Sequence, residues 1–156
     1  MVGGNAYDQP ADAELMIRWT QLNALLPAMQ FSLAPWDYGE ECTRICRKYA
    51  DLHLEFAGRI QQLAEACTKD GQPIIRPLFW LAEQNERALT CSDEFLLGND
   101  ILAAPVVLPG IKQRNIYLPP GKWRDYWTGV VYSGDTEIRD YPAGLEHLPI
   151  FVRAAV

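Results

Sequence analysis

The sequence predicts an α/β region followed by an all-β sandwich, and three observations carry that expectation. Ahead of residue 71, apolar residues recur three and four apart on both sides of a short apolar run, which is the order helix–strand–helix. Asp70-Gly71 then closes the longest helical pattern, with glycine where a helix stop favours it. Beyond it, turn pairs such as Pro109-Gly110, Gly134-Asp135 and Ala143-Gly144 separate short runs suited to strands.

Residues 1–11 read as a loop, because Gly3-Gly4-Asn5 and Asp8-Gln9-Pro10 are turn chemistry. Asp12 caps a helix that runs to about Leu26, with Leu15, Trp19, Leu22 and Leu26 as its apolar stripe. Pro27 ends it. Residues 28–33 are expected to be a buried strand, and residues 35–39 a loop. A second helix spans residues 41–69, with Ile45, Tyr49, Leu52, Phe56, Ile60, Leu63 and Cys67 on one side. Two prolines make residues 73–81 extended, and residues 82–90 are polar and turn-like. Asp93 is expected to cap one helical turn through Leu97, ended by Gly98. Strands are expected at 101–108, 114–118, 123–127, 136–141 and 149–153. The boundary falls near residues 82–92, which gives an α/β part over 1–84 and an incomplete β-sandwich over 85–156.

A formal charge of −6 argues against nucleic acid and against an anionic membrane surface, both of which want clustered Lys and Arg. The longest strongly apolar run, 101–108, is too short to span a bilayer and contains Pro105. The first twenty residues lack a signal-peptide pattern. Cys42, Cys46, Cys67 and Cys91 form no CxxC pair, and His53 and His147 lie far apart, so neither a zinc site nor a cofactor is expected. Cys42 and Cys46 share a helical face and read as buried thiols. The aromatic residues suit a core first and a sugar-binding surface second.

Four stretches resemble glycoside hydrolase family 31. The first is Gly3-Gly4 with the later run Glu14-Leu15-Met16-Ile17-Arg18-Trp19-Thr20-Gln21. The second is Pro35-Trp36-Asp37-Tyr38-Gly39-Glu40, and the third is Gly71-Gln72-Pro73-Ile74-Ile75-Arg76-Pro77-Leu78-Phe79. The fourth runs from Asp93-Glu94-Phe95-Leu96-Leu97-Gly98 through Ile101-Leu102-Ala103-Ala104-Pro105-Val106. It continues through Tyr117-Leu118-Pro119-Pro120-Gly121-Lys122-Trp123 to Asp125-Tyr126-Trp127-Thr128-Gly129. The resemblance covers nearly the whole chain.

The resemblance implies the last part of a (β/α)8 TIM barrel over residues 1–84, followed by the proximal C-terminal β-sandwich, truncated. It implies a retaining hydrolase of α-linked sugars, of α-glucosidase or α-galactosidase type. A retaining pair is two carboxyls roughly 5 Å apart across the scissile bond. Both family aspartates belong to motifs absent from this sequence, so the chain reads as a carboxy-terminal fragment, inactive alone. Asp8, Asp12, Glu40, Glu41 and Asp93 read instead as turn, first-turn or cap residues. Barrel active sites lie at the carboxyl ends of strands, which makes Gly3, Gly4, Ser32, Trp36 and Asp37 the candidate substrate-binding residues.

Many family members have a histidine after the last strand, where this chain has Ser32. That departure leaves room for an α-galactoside. Trp36 stacks on a sugar or plugs the barrel rim. Arg18 and Arg76 are expected to be buried ion-pair partners. The implied partner is a carbohydrate substrate, an α-glycoside, with no nucleic acid and no membrane contact from this segment. The resemblance suggests the secretory pathway or the endoplasmic reticulum lumen. The alternative is a non-catalytic carbohydrate-binding or scaffolding module, against which the barrel-like residues 1–81 speak.

Overall fold

The structure, a computed structural model, describes residues 2–3 and 12–154. The expected loop over 4–11, with the candidate Gly4, lies outside the described residues. The chain divides into two compact units, Met1–Gly71 and Gln72–Val156.

The first unit is built on α1 (Ala13–Asn23) and α2 (Glu40–Asp70). The Asp12 carboxylate accepts the Leu15 amide at 2.7 Å, which caps α1 as expected. The buried face of α1, however, carries Met16, Ile17 and Thr20, while Leu15 is 50% exposed. The expected stripe is rotated by one residue. Neighbouring stripes on an amphipathic helix lie about 100° apart, and the packing of α1 on α2 selects the one that faces α2. Thr20 Oγ1 lies 3.3 Å from Cys46 Sγ on α2.

The stripe of α2 holds: Ile45, Tyr49, Leu52, Ile60 and Leu63 are all buried. Gly71 ends the helix in the left-handed conformation, its amide donating to the Cys67 carbonyl at 3.0 Å. Residues 28–33 do not form the expected strand. They make one parallel bridge, Val2 to Phe31. The Val2 amide donates to Gln30 at 2.7 Å, and the Ser32 amide donates to Val2 at 2.9 Å. A strand extends only as far as a neighbour supplies hydrogen bonds, and among the described residues that neighbour is Val2. Pro35–Tyr38 is a 3-10 helix rather than an open loop.

The second unit contains β1 (Ile75–Arg76), α3 (Glu86–Thr90), β2 (Phe95–Leu97), β3 (Ile101–Ala103), β4 (Gln113–Leu118), β5 (Lys122–Asp125), β6 (Val131–Ser133), β7 (Thr136–Pro142) and β8 (Ile150–Arg153). Six strands form an antiparallel sheet in the order β1-β2-β3-β8-β5-β6, and β4 pairs with β7 separately. The two faces meet in one core. Leu96, Leu102, Trp123 and Phe151 come from the larger sheet, and Ile116, Leu118 and Tyr141 from the smaller. Each large apolar side chain buried there contributes about 1.5–3 kcal/mol.

Several expectations change here. Asp93 does not cap a helix, because 95–97 pair with 101–103 as a hairpin. Residues 82–90 are not all turn: Asn85 accepts the Arg87 and Ala88 amides and starts α3. β3 stops at Ala103, two residues short of Pro105, which cannot donate to a ladder. The expected strand over 123–127 ends at Asp125, and β6 is an addition. Ile75 and Arg76 pair with Leu97 and Leu96, which ties the start of the compact unit Gln72–Val156 to its larger sheet. Two prolines announce extended chain without naming its partner, and the expected extension over 73–81 stops at Pro77, where Leu78–Trp80 turns into a 3-10 helix.

One turn is closed to any side chain. A Cβ on Gly134 would lie 2.0 Å from the Pro119 carbonyl oxygen, well inside contact distance.

Candidate functional site

The parallel bridge positions the first pair of candidate residues. Gly3 and Ser32 each follow a bridged residue, and the structure brings them together. Gly3 has φ +91°, and a Cβ there would stand 2.9 Å from both Ser32 Oγ and Leu33 Cγ. Glycine is therefore demanded by conformation and by space. The Ser32 hydroxyl donates to the Val2 carbonyl at 2.8 Å, which pins its rotamer at the end of the bridge.

Trp36 follows Pro35, whose fixed φ suits the first position of the 3-10 helix. Its side chain is 71% exposed. It forms a wall between two hollows. One, of about 480 Å³, is mostly apolar and includes Phe31, Ser32, Leu33 and Cys46. The other, of about 460 Å³, includes Glu40 and Arg44. Trp36, Thr43 and Arg47 border both. Asp37, next to Trp36 in the same 3-10 helix, is exposed and lines neither hollow.

The remaining candidates are structural. Cys42 and Cys46 are buried with their sulfurs 3.9 Å apart. Burial first, and then Cys46, push the Cys42 thiol up, so it stays protonated and is no nucleophile. Arg18 faces Glu14 at 3.8 Å and donates to Gln21. Arg76 departs from the expected ion pair: it donates to the Pro73 carbonyl at 2.8 Å and to Asn99 at 2.5 Å, with its guanidinium over Trp80. An amide and a carbonyl accept the guanidinium N–H bonds without burying a negative charge, and the Trp80 ring face lies against the cation.

Among the described residues the buried acids are Glu94 and Asp125, both in the second unit. Asp125 accepts the Trp127 and Thr128 amides at 2.8 and 3.1 Å, and the Tyr141 hydroxyl at 2.6 Å. Tyr141 lies 3.2 Å from His147 Nε2. Burial, and then the bond to Asp125, raise the Tyr141 phenol far above its ordinary range. The word Asp125-Tyr126-Trp127-Thr128-Gly129 is thus a turn clamped by a buried carboxylate, with Trp127 Nε1 donating to Leu148 at 2.7 Å. The carboxylates of Cys91's neighbours, Asp93 and Glu94, gather near its thiol. Arg114 supplies the positive charge there, at 3.0 Å from Asp93 and 3.5 Å from Glu94. Sequence reading missed these two networks, since their partners lie sixteen and twenty residues apart with no periodicity to link them.

Residues 71–155 match the glycosyl hydrolase family 31 C-terminal domain, and the chain belongs to that family. It is similar to the myogenesis-regulating glycosidase of Mus musculus, with 39% identity over 99% of this chain and 23% of that protein. It is 36% identical to alpha-glucosidase 2 of Bacillus thermoamyloliquefaciens over 97% of this chain and 20% of that one. Among solved structures, a GH31 alpha-xylosidase from a soil metagenome, complexed with xylose, superposes with a TM-score of 0.83 at 28% identity. That match covers 92% of this chain and 25% of the xylosidase. The chain therefore spans a quarter or less of the length of each of these relatives.

Proposed function

We propose that these residues are the carboxy-terminal part of a retaining glycosidase acting on an α-linked glucoside or galactoside. The first unit supplies the closing segment of a (β/α)8 barrel, and the second is the sandwich that follows it in sequence. The observation that carries this reading is the Gly3–Ser32 junction just past a parallel rung. In such barrels, substrate sits beyond the carboxyl ends of parallel strands. Ser32, held by the Val2 carbonyl, and the exposed face of Trp36 border the sugar. Gly3 lets the two loops approach, and Asp37, next to Trp36, extends the same rim.

Retaining hydrolysis needs one carboxylate to attack the anomeric carbon while a second carboxyl protonates the departing oxygen and later activates water. Glu94 and Asp125 are committed to backbone amides and to Arg114 or Tyr141, so neither plays these parts. The acid pair belongs to the parent barrel, and the 156-residue chain is inactive alone.

The test has two arms. The isolated chain is assayed on nitrophenyl α-glucoside and α-galactoside, where no turnover is expected. In the full-length protein, Trp36→Ala is expected to lower kcat/KM tenfold or more, about 1.4 kcal/mol. Turnover by the isolated chain that is lost on mutating one of its acids would overturn the placement of the acid pair. Unchanged kcat and KM in Trp36→Ala, with only a lower melting temperature, would make Trp36 a packing residue.

A further inference from the structure

Glu94 is a buried carboxylate with only half of its oxygens satisfied. Its side chain is 4% exposed. Oε1 accepts the Tyr117 amide at 3.0 Å and lies 3.5 Å from Arg114 Nη2. Oε2 is buried without a partner. An ionised carboxylate in that setting keeps one bare oxygen out of water, which is costly.

The cation that would relieve it is spread over other acceptors. Arg114 Nη2 stands 3.0 Å from Asp93 Oδ2. Nη1 donates to the Asp93 carbonyl at 3.1 Å and also to the Pro105 carbonyl. Pro105 opens the connection between β3 and β4. Farther along, that connection displays Val107 and Leu108, both about two-thirds exposed (63% and 64%). One guanidinium thus serves both the acid cluster and the root of an exposed apolar loop.

We propose that Glu94 is a proton-operated catch on the β3–β4 connection. Uncharged, it leaves Arg114 bonded to Asp93 and to Pro105, and the connection is held. Ionised, it draws Arg114 toward its second oxygen, and the bond to Pro105 is given up. The other groups around it are Asp93 and Cys91 from its own run, Arg114 from β4, and Glu137 from β7. Glu137 is itself paired with Arg87 of α3 at 3.2 Å. Burial raises the Cys91 thiol to about 11, so it stays neutral through the working range. Burial likewise raises Glu94 to about 7, against the opposing pull of the Tyr117 amide and Arg114. The catch is closed below that point and open above it.

The experiment is a pH titration of the 156-residue chain by carbon-13 NMR. It follows the Glu94 carboxyl together with the Val107 and Leu108 methyls, in wild type and in Glu94→Gln. The expected result is a carboxyl midpoint near 7 and methyl shifts with that same midpoint. Those methyl shifts are lost in Glu94→Gln. The variant arm isolates Glu94 as the source of the methyl shifts. A Glu94 carboxyl that titrates below about 5, like an ordinary glutamate, would overturn the proposal. So would methyls that stay silent across the Glu94 midpoint, or that shift equally in Glu94→Gln. If the variant does not fold, coincidence or disagreement of the two wild-type midpoints decides alone.

Discussion

The two units solve the burial problem differently. Gln72–Val156 closes a core between two sheets, where Trp123, Phe151 and Ile116 are fully buried and Trp123 Nε1 donates to the Pro119 carbonyl at 2.7 Å. Among the described residues, Met1–Gly71 has two α-helices, one 3-10 helix and one bridge, and it leaves Leu15, Trp36 and Leu54 largely exposed. Two sheets closed on one core are a finished layer arrangement, whereas a pair of helices with a single rung is not. The difference teaches that the family's barrel-like and sandwich-like words, equally recognisable in sequence, need not mark equally self-sufficient structure.

The largest effect that would break this comparison comes from cutting the chain at the unit boundary. Residues 72–156 alone are expected to melt cooperatively, as a small domain does. Residues 1–71 alone are expected to associate or to show no sharp transition, because their apolar faces stay open. Sedimentation and calorimetry of both pieces check this. A monomeric 1–71 with a sharp melt would erase the contrast.

Next in size is Trp123→Ala in the whole chain. It removes the largest fully buried side chain of the sandwich and should cost about 3–5 kcal/mol, a large share of a net stability of about 5–15 kcal/mol. Denaturant unfolding followed by near-ultraviolet circular dichroism measures it. A loss under about 1 kcal/mol would mean that the core is looser than its burial implies.

The smallest effect sharpens the reading of α1. Leu15→Ser should change stability by no more than about 0.5 kcal/mol, as exposed substitutions do. Met16→Ser, one residue on, should cost about 2–5 kcal/mol, in the range for emptying a buried site of that size. Equal losses at the two positions would restore the stripe that the sequence alone suggests.

That stripe shows how far the sequence reaches. α2 was legible nearly to the residue, because seven apolar positions repeat over its length and Gly71 stops it. α1 was legible in place but not in rotation, since eleven residues carry two competing stripes and only α2 decides between them. Asp93 looked like a cap because short acids cap helices, yet pairing of 95–97 with 101–103 overrides that local preference. At the candidate site, Gly3 and Ser32 could be joined only through resemblance, because the two sides of the bridge, Val2 and Phe31, lie far apart in the chain. The Glu94–Arg114 and Asp125–Tyr141 contacts left no trace in pattern or spacing. Long-range polar pairs are fixed by strand register, which single-sequence reading does not supply.

Gly134 has a consequence for inherited variation. With the Pro119 oxygen 2.0 Å from where a Cβ would stand, the obstacle is backbone and cannot swing aside. Every missense change at a glycine codon installs at least that one carbon. The codon for residue 134 therefore has no conservative alternative: alanine there should be nearly as disruptive as a bulky residue, and allele surveys should find the position depleted of missense variants, whatever their chemistry.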